Sequence, residues 1–186
     1  MKNIFSEKRG AIEMSVGTIV TIVLMVTMLI LGIVLIRNIF SSAKGVVDMT
    51  NAQLENEINK LFSEENEIAM YPSTRYIEIK QDAIDAMGFG IKNLKEGASG
   101  DVTFSYQVSV SDLGNCGVSE EVAESWIILG KAEADIAIPS GGSAIRKIRF
   151  QIPVGSPLCI VRYKIEVQEN GENYASDSFD VKIKSK

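Results

Sequence analysis

The stretch Lys8-Arg9-Gly10, followed over residues 14–36 by MSVGTIVTIVLMVTMLILGIVLI, decides how this chain is built. The apolar run carries no charge. At about 1.5 Å of helical rise per residue it extends roughly 34 Å, enough to cross a hydrocarbon layer of about 30 Å with some tilt. Its β-branched residues are mediocre helix formers in water. In lipid an unpaired backbone polar group costs several kcal/mol, and a helix satisfies all of them within one segment. Gly17, Thr18, Thr21, Thr27 and Gly32 are small or hydroxylated positions where a second helix can approach closely. Ordinary variation along a lipid-facing surface is the other reading of them.

The flanks set the topology. Lys2, Lys8 and Arg9 precede the span and Arg37 and Lys44 follow it, a bias that favours a cytoplasmic N-terminus and places everything after the span outside. Membrane lipid is thus the first expected partner, and a single-pass protein of the cell membrane the expected location. The chain has 186 residues and a formal net charge of -5, with no Lys/Arg cluster beyond the N-terminus, which argues against nucleic acid as a partner. The absence of histidine removes the commonest metal ligand and the usual general base. Glu64, Glu65 and Glu67, like Glu120, Glu121 and Glu124, read as solvated surface, and Gly141-Gly142 lacks the strand, helix and lysine of a phosphate loop. The expectation is a protein that is not an enzyme, with no metal and no cofactor. Trp126, flanked by Ile127, Ile128 and Leu129, reads as core packing.

Cys116 falls in the turn-like LGNCG, and Cys159 opens the strand-like CIVRYKIEV. A bridge between them suits a domain outside the cytoplasm, and a loop of that size stabilises by about 4 kcal/mol in the chain-entropy account. Two free buried thiols are the alternative.

Beyond the span an apolar stripe persists at Phe40, Ala43, Val47, Leu54, Ile58 and Leu61 or Phe62, a helical period weakened only at Gly45. The spacing predicts one helix over residues 11–63, about 80 Å long, whose projecting stripe needs a partner. The acidic patch from Glu64 and then Pro72 end it. From Tyr76 the period becomes two: Ile77 and Ile79; Val102, Phe104, Tyr106, Val108 and Val110; Ile148, Phe150 and Ile152; Val161, Tyr163, Ile165 and Val167. Phe89 with Ile91, and Ile136 with Ile138, mark shorter strands, and Ser119 is placed to cap one helical turn. Asn170-Gly171 has the residues of a type I′ hairpin. The opposite parity of Tyr174 and Phe179 predicts a bulge near residues 176–178. Seven or eight short strands indicate a two-sheet sandwich of immunoglobulin-like kind, so the whole is an α+β chain. It divides into a basic leader (1–10), a transmembrane helix (11–36), an amphipathic helical stalk and linker (37–70) and an extracellular β-sandwich domain (71–186).

Lys8-Arg9-Gly10-Ala11-Ile12-Glu13, with Val16-Gly17-Thr18-Ile19-Val20 behind it, resembles the start of archaeal type IV pilins and archaellins. The resemblance implies a class III signal-like leader cut by a prepilin-type peptidase between Gly10 and Ala11, so Lys8, Arg9, Gly10 and Ala11 form the processing site. It also implies a homo-oligomer bundled through the N-terminal helix, in a cell-surface filament for adhesion or motility, with Glu13, Gly17, Thr18, Phe40, Val47, Leu54 and Ile58 on the assembly helix. Many members place a glutamate at the fifth mature position to pair with a neighbour's α-amino group; Glu13 falls at the third. An interfacial carboxylate favoured by the helix dipole is its other reading. Two different classes compete with the filament subunit. One is an unprocessed single-pass protein displaying an adhesive or binding domain; the other is an anchored enzyme, or a domain released by ordinary signal peptidase after Ser41-Ser42-Ala43.

Overall fold

The structure, a computed structural model, describes residues 7–41, 45–62, 66–95 and 102–186, and within the first helix it describes side chains for residues 17–34. The chain forms two compact units, Met1–Lys44 and Gly45–Lys186. The first contains helix α1, Glu7–Ser41. An 18-residue window of α1, Gly17–Val34, is long and apolar enough to cross a membrane, and none of it is buried by the chain itself.

The second unit starts with a short 3-10 turn, Val46–Asp48, and helix α2, Asn51–Leu61. Strands β1 (Ile68–Tyr71), β2 (Tyr76–Lys80), β3 (Ile84–Lys92) and β4 (Thr103–Asp112) follow. Helix α3 (Glu120–Ser125) leads to β5 (Ile127–Leu129), β6 (Ala132–Ala137), β7 (Ser143–Gln151), β8 (Ile160–Glu169) and β9 (Glu172–Lys184). They form two sheets, ordered β1-β3-β7-β5 and β2-β9-β8-β4-β6, in which β2 joins β9 in parallel and the other pairings are antiparallel.

Strand alternation builds the core between the sheets. Met87, Phe89, Ile148 and Phe150 from one sheet meet Phe104, Tyr163, Val181 and Phe179 from the other, all buried. The aromatic side chains interlock, with Phe150 edge-on to Phe179 at 5.9 Å and Tyr163 stacked on Phe179 at 5.7 Å. Trp126 lies in this core, immediately after α3, and Ser119 caps α3 by accepting from the Val122 N–H. Asn170 and Gly171 both take positive φ, 49° and 86°, as a type I′ turn requires.

One long helix over residues 11–63 is not what forms. α1 ends at Ser41, and α2 is a separate helix that begins at a capping box: Thr50 accepts from the Gln53 N–H, and the Gln53 side chain accepts from the Thr50 N–H. That box ties up the helix-start donors that a continuous helix would have used. Ala43 lies outside the described residues, and from Val47 to Phe62 the stripe is not exposed either. Leu54 and Ile58 are buried against the outer face of β3, in a second core with Val46, Ala69 and Ala86, and Val47 packs at its margin. This face accepts α2 closely because Gly88 and Gly90 stand there. A Cβ on Gly88 would lie 2.5 Å from a Leu54 methyl, and one on Gly90 would lie 2.7 Å from Ile58.

The compact unit that holds the two sheets starts at Gly45, and residues 68–70, which the sequence reading puts in the linker, lie in strand β1. The bulge sits at Tyr174, where Gln168 opposes Asn173 and Val167 opposes Ala175, not at residues 176–178. Tyr174 is held by tertiary bonds: its hydroxyl donates to the Lys92 carbonyl at 2.8 Å and accepts from the Leu94 N–H.

Candidate membrane-spanning and assembly segment

Inside Gly17–Val34 the apolar side chains from Ile19 to Val34 are about half exposed or more, so none of the described residues covers them. The polar atoms are satisfied locally. Thr21 donates its hydroxyl to the Gly17 carbonyl at 2.6 Å, and Thr27 donates to the Leu24 carbonyl at 2.9 Å. Such back-bonding removes the desolvation penalty a hydroxyl would otherwise bring into lipid. Gly17 and Gly32 leave open notches, since a Cβ at either would meet nothing. At about 100° per residue, Gly17, Thr21 and Gly32 fall within roughly 60° of each other on one face. A helix with such a small-residue face, satisfied hydroxyls and an uncovered apolar girth can bury itself in lipid or against parallel copies.

Lys8, Arg9, Gly10, Ala11 and Glu13 belong to the helical backbone of α1, as does Phe40, but their side chains lie outside the described residues. Thr18 is on the exposed surface of the span. Val47, Leu54 and Ile58, expected on the same assembly surface, sit instead in the second unit, where burial beneath β3 removes Leu54 and Ile58 from any exposed face. The signal that separates them was present in the sequence as Thr50-x-x-Gln53.

Cys116 and Cys159 form a disulfide, with Cα atoms 5.1 Å apart and a sequence separation of 43. It ties the segment after β4 to the start of β8 at one end of the domain.

A groove of about 840 Å³ opens between α2, β6 and β7. Glu55, Asp135 and Lys147 line it together with an ion pair across the two sheets: Arg146 of β7 donates from Nε and Nη2 to both oxygens of Glu133 of β6, at 2.6 and 2.7 Å. The guanidinium holds the Glu133 carboxyl below its ordinary range, against the opposing effect of partial burial. Glu133 is thus ionised and paired, an arrangement that staples β6 of one sheet to β7 of the other. Tyr106, beside it, has its phenol pushed up to about 12 by burial, with Glu133 adding to the effect. Among the described residues no group of three or more His, Cys, Asp or Glu side chains is placed to hold a metal ion.

No family model matches the chain, and no curated protein matches its sequence. Solved structures with a similar course of chain include the Pseudomonas fluorescens alkylpurine DNA glycosylase AlkC bound to DNA containing an abasic site analogue, at 14% identity over 62% of this chain and 30% of that one, TM-score 0.33. A Niemann-Pick type C2 protein from Japanese carpenter ant aligns at 15% identity over 64% and 90%, TM-score 0.35. A family 123 glycoside hydrolase from Clostridium perfringens aligns at 14% identity over 60% and 23%, TM-score 0.37. The chain spans less than a third of the glycosylase and of the hydrolase. Likenesses this distant say nothing of ligand or activity, and none of the three is described as a pilin or archaellin.

Proposed function

We propose that this protein is a membrane-inserted, pilin-like structural subunit of an archaeal surface filament, held in the membrane and assembled through α1, with its disulfide-tied domain outside the cell. The observation that carries the reading is the uncovered apolar surface of Gly17–Val34 directly behind Lys8-Arg9-Gly10-Ala11. A helix of this kind leaves lipid only if its girth is buried elsewhere, and a bundle of parallel copies does that. Because Leu54 and Ile58 of α2 are buried against their own sheet, helix-to-helix packing between copies falls to α1, and the face bearing Gly17, Thr21 and Gly32 is the one that permits close approach. The prepilin-type peptidase is the partner that would release the helix from its leader.

An immunoglobulin-like reading of the domain is supported by the strand order, which sets an ABED-like sheet against a GFCC′-like sheet. It departs from that frame in one respect: β5, at the D position, precedes β6, at the C′ position.

Intact-mass measurement of the membrane-extracted protein tests the proposal. The expected mature chain begins at Ala11, and Gly10→Val should leave the leader in place, the protein in the membrane and no filaments. Normal filaments from Gly10→Val would sink the idea. A second reading, a single-pass display domain that does not polymerise, is favoured by the burial of Leu54 and Ile58, which makes the domain complete without neighbours. It predicts an unprocessed chain starting at Met1.

A further inference from the structure

Four large apolar side chains stand out at one end of the domain: Ile84 (41% exposed), Val154 (73%), Leu158 (62%) and Ile160 (44%). The pairings bring them together. Ile84 opens β3 opposite Gln151, the last residue of β7, and the loop that follows carries Val154 and Leu158 back to Ile160 at the start of β8. Gln81, just before β3, donates to the Ser156 carbonyl of that loop, and the Ile183 N–H at the end of β9 donates to the Cys159 carbonyl. Among the described residues the opposite end, made by residues 139–142 and by Asn170-Gly171, carries no exposed large apolar side chain. The remaining exposed ones in the domain, Val122, Ile128 and Leu129, lie on α3 and β5.

The chain joins the domain at this same apolar end. Gly45 stands against Asp85, the second residue of β3, so closely that a Cβ would lie 2.7 Å from the carboxylate. Its tether is short. From Val34 to Ser41 the helix rises about 10 Å, and the four steps from Ser41 to Gly45 span at most about 14 Å. By contrast, the ten residues of β4 alone run roughly 33 Å away from this end. The polar groups here also suit a headgroup layer: Lys182, Lys184 and Lys186 end long aliphatic stems, paired with Glu78 and Asp82.

We propose that the end of the domain bearing Ile84, Val154, Leu158 and Ile160 is a lipid-facing surface, resting in the outer headgroup layer while the subunit is in the membrane. It rests on α1 crossing the bilayer and not on polymerisation. A second copy of the chain is the competing occupant of this surface.

The test uses the full chain in vesicles whose phospholipids carry brominated acyl chains, which quench tryptophan fluorescence. The single-site variants are Leu158→Trp, Val154→Trp, Ser140→Trp at the far end and Leu29→Trp in the span, with the Trp126 signal of the unaltered protein subtracted. Leu29→Trp should be quenched strongly, and Leu158→Trp and Val154→Trp by about twofold or more over Ser140→Trp, as side chains entering the interface would be. If Leu29→Trp is quenched while Leu158→Trp and Val154→Trp match Ser140→Trp, the lipid-facing surface is wrong and the span stands. The same pattern with a concentration-dependent blue shift of the Leu158→Trp signal assigns the surface to a second copy and also overturns the proposal. An unquenched Leu29→Trp removes the span and this surface together.

Discussion

Gly88 and Gly90 do for α2 what no larger residue on β3 would permit, since their missing side chains are the space into which Leu54 and Ile58 descend. Gly88→Val should therefore lift α2 from the sheet and cost about 1–3 kcal/mol by overpacking, read as a lower melting temperature with the two-sheet circular dichroism signal retained. Gly17 is the opposite case. None of the described residues would meet a Cβ there, so Gly17→Ala should leave the domain's stability unchanged. Tyr106 gives a pH-dependent counterpart. Burial favours its neutral phenol, so below about pH 10, where the unfolded chain is also neutral, its contribution is complete. Between pH 10 and about 12 the unfolded form ionises first, and stability falls as pH rises. Melting temperatures measured across that window should fall less steeply for Tyr106→Phe; Tyr163, raised further by burial, keeps part of the slope in both proteins.

At the level of elements, legibility followed how many faces a segment buries. β4 and β8 bury one face and expose the other, so their alternation could be read residue by residue. β3 is covered on both, by the core beneath Met87 and Phe89 and by α2 over Ala86, Gly88 and Gly90, and a strand buried on both faces shows no alternation. The four-residue β1 has the same difficulty, with three consecutive buried residues and too little length to distinguish strand from helix. The break between α1 and α2 was legible, in Thr50-x-x-Gln53, but an apolar stripe in step across it masked the signal. The bulge at Tyr174 was legible only in parity, because its position is fixed by the distant carbonyl of Lys92. For the candidate segment, charge and length were plain in sequence, whereas which apolar residues face outward depended on a partner sheet whose sequence lies beyond residue 67. The disulfide also acts between elements, tying the turn after β4 to β8. Reduction should lower the melting temperature of the folded protein by an amount equivalent to about 4 kcal/mol. Two titratable thiols before reduction, with no change on adding reductant, would contradict the bridge.

For the molecule as a whole, the boundary at Gly45 separates a unit whose described apolar side chains stand uncovered from one whose described core is closed. Cutting the chain at two places distinguishes this boundary from the later one that sequence patterning favours. A chain beginning at Gly45 keeps α2 on β3 and β1 paired along β3 from Ile68↔Ile91 to Tyr71↔Gly88. One beginning at Tyr71 loses both. It uncovers Ala86 and the Gly88–Gly90 face and leaves the edge of β3 unpaired, an exposed edge that recruits other chains. The longer chain should be monomeric and melt cooperatively in aqueous buffer, while the shorter should aggregate or melt well below it, as sedimentation and calorimetry would record. Equal stability of the two would mean that α2 and β1 are ornaments on a domain that starts at residue 71, and that the stripe of Leu54 and Ile58 is free to pack against a partner outside the subunit.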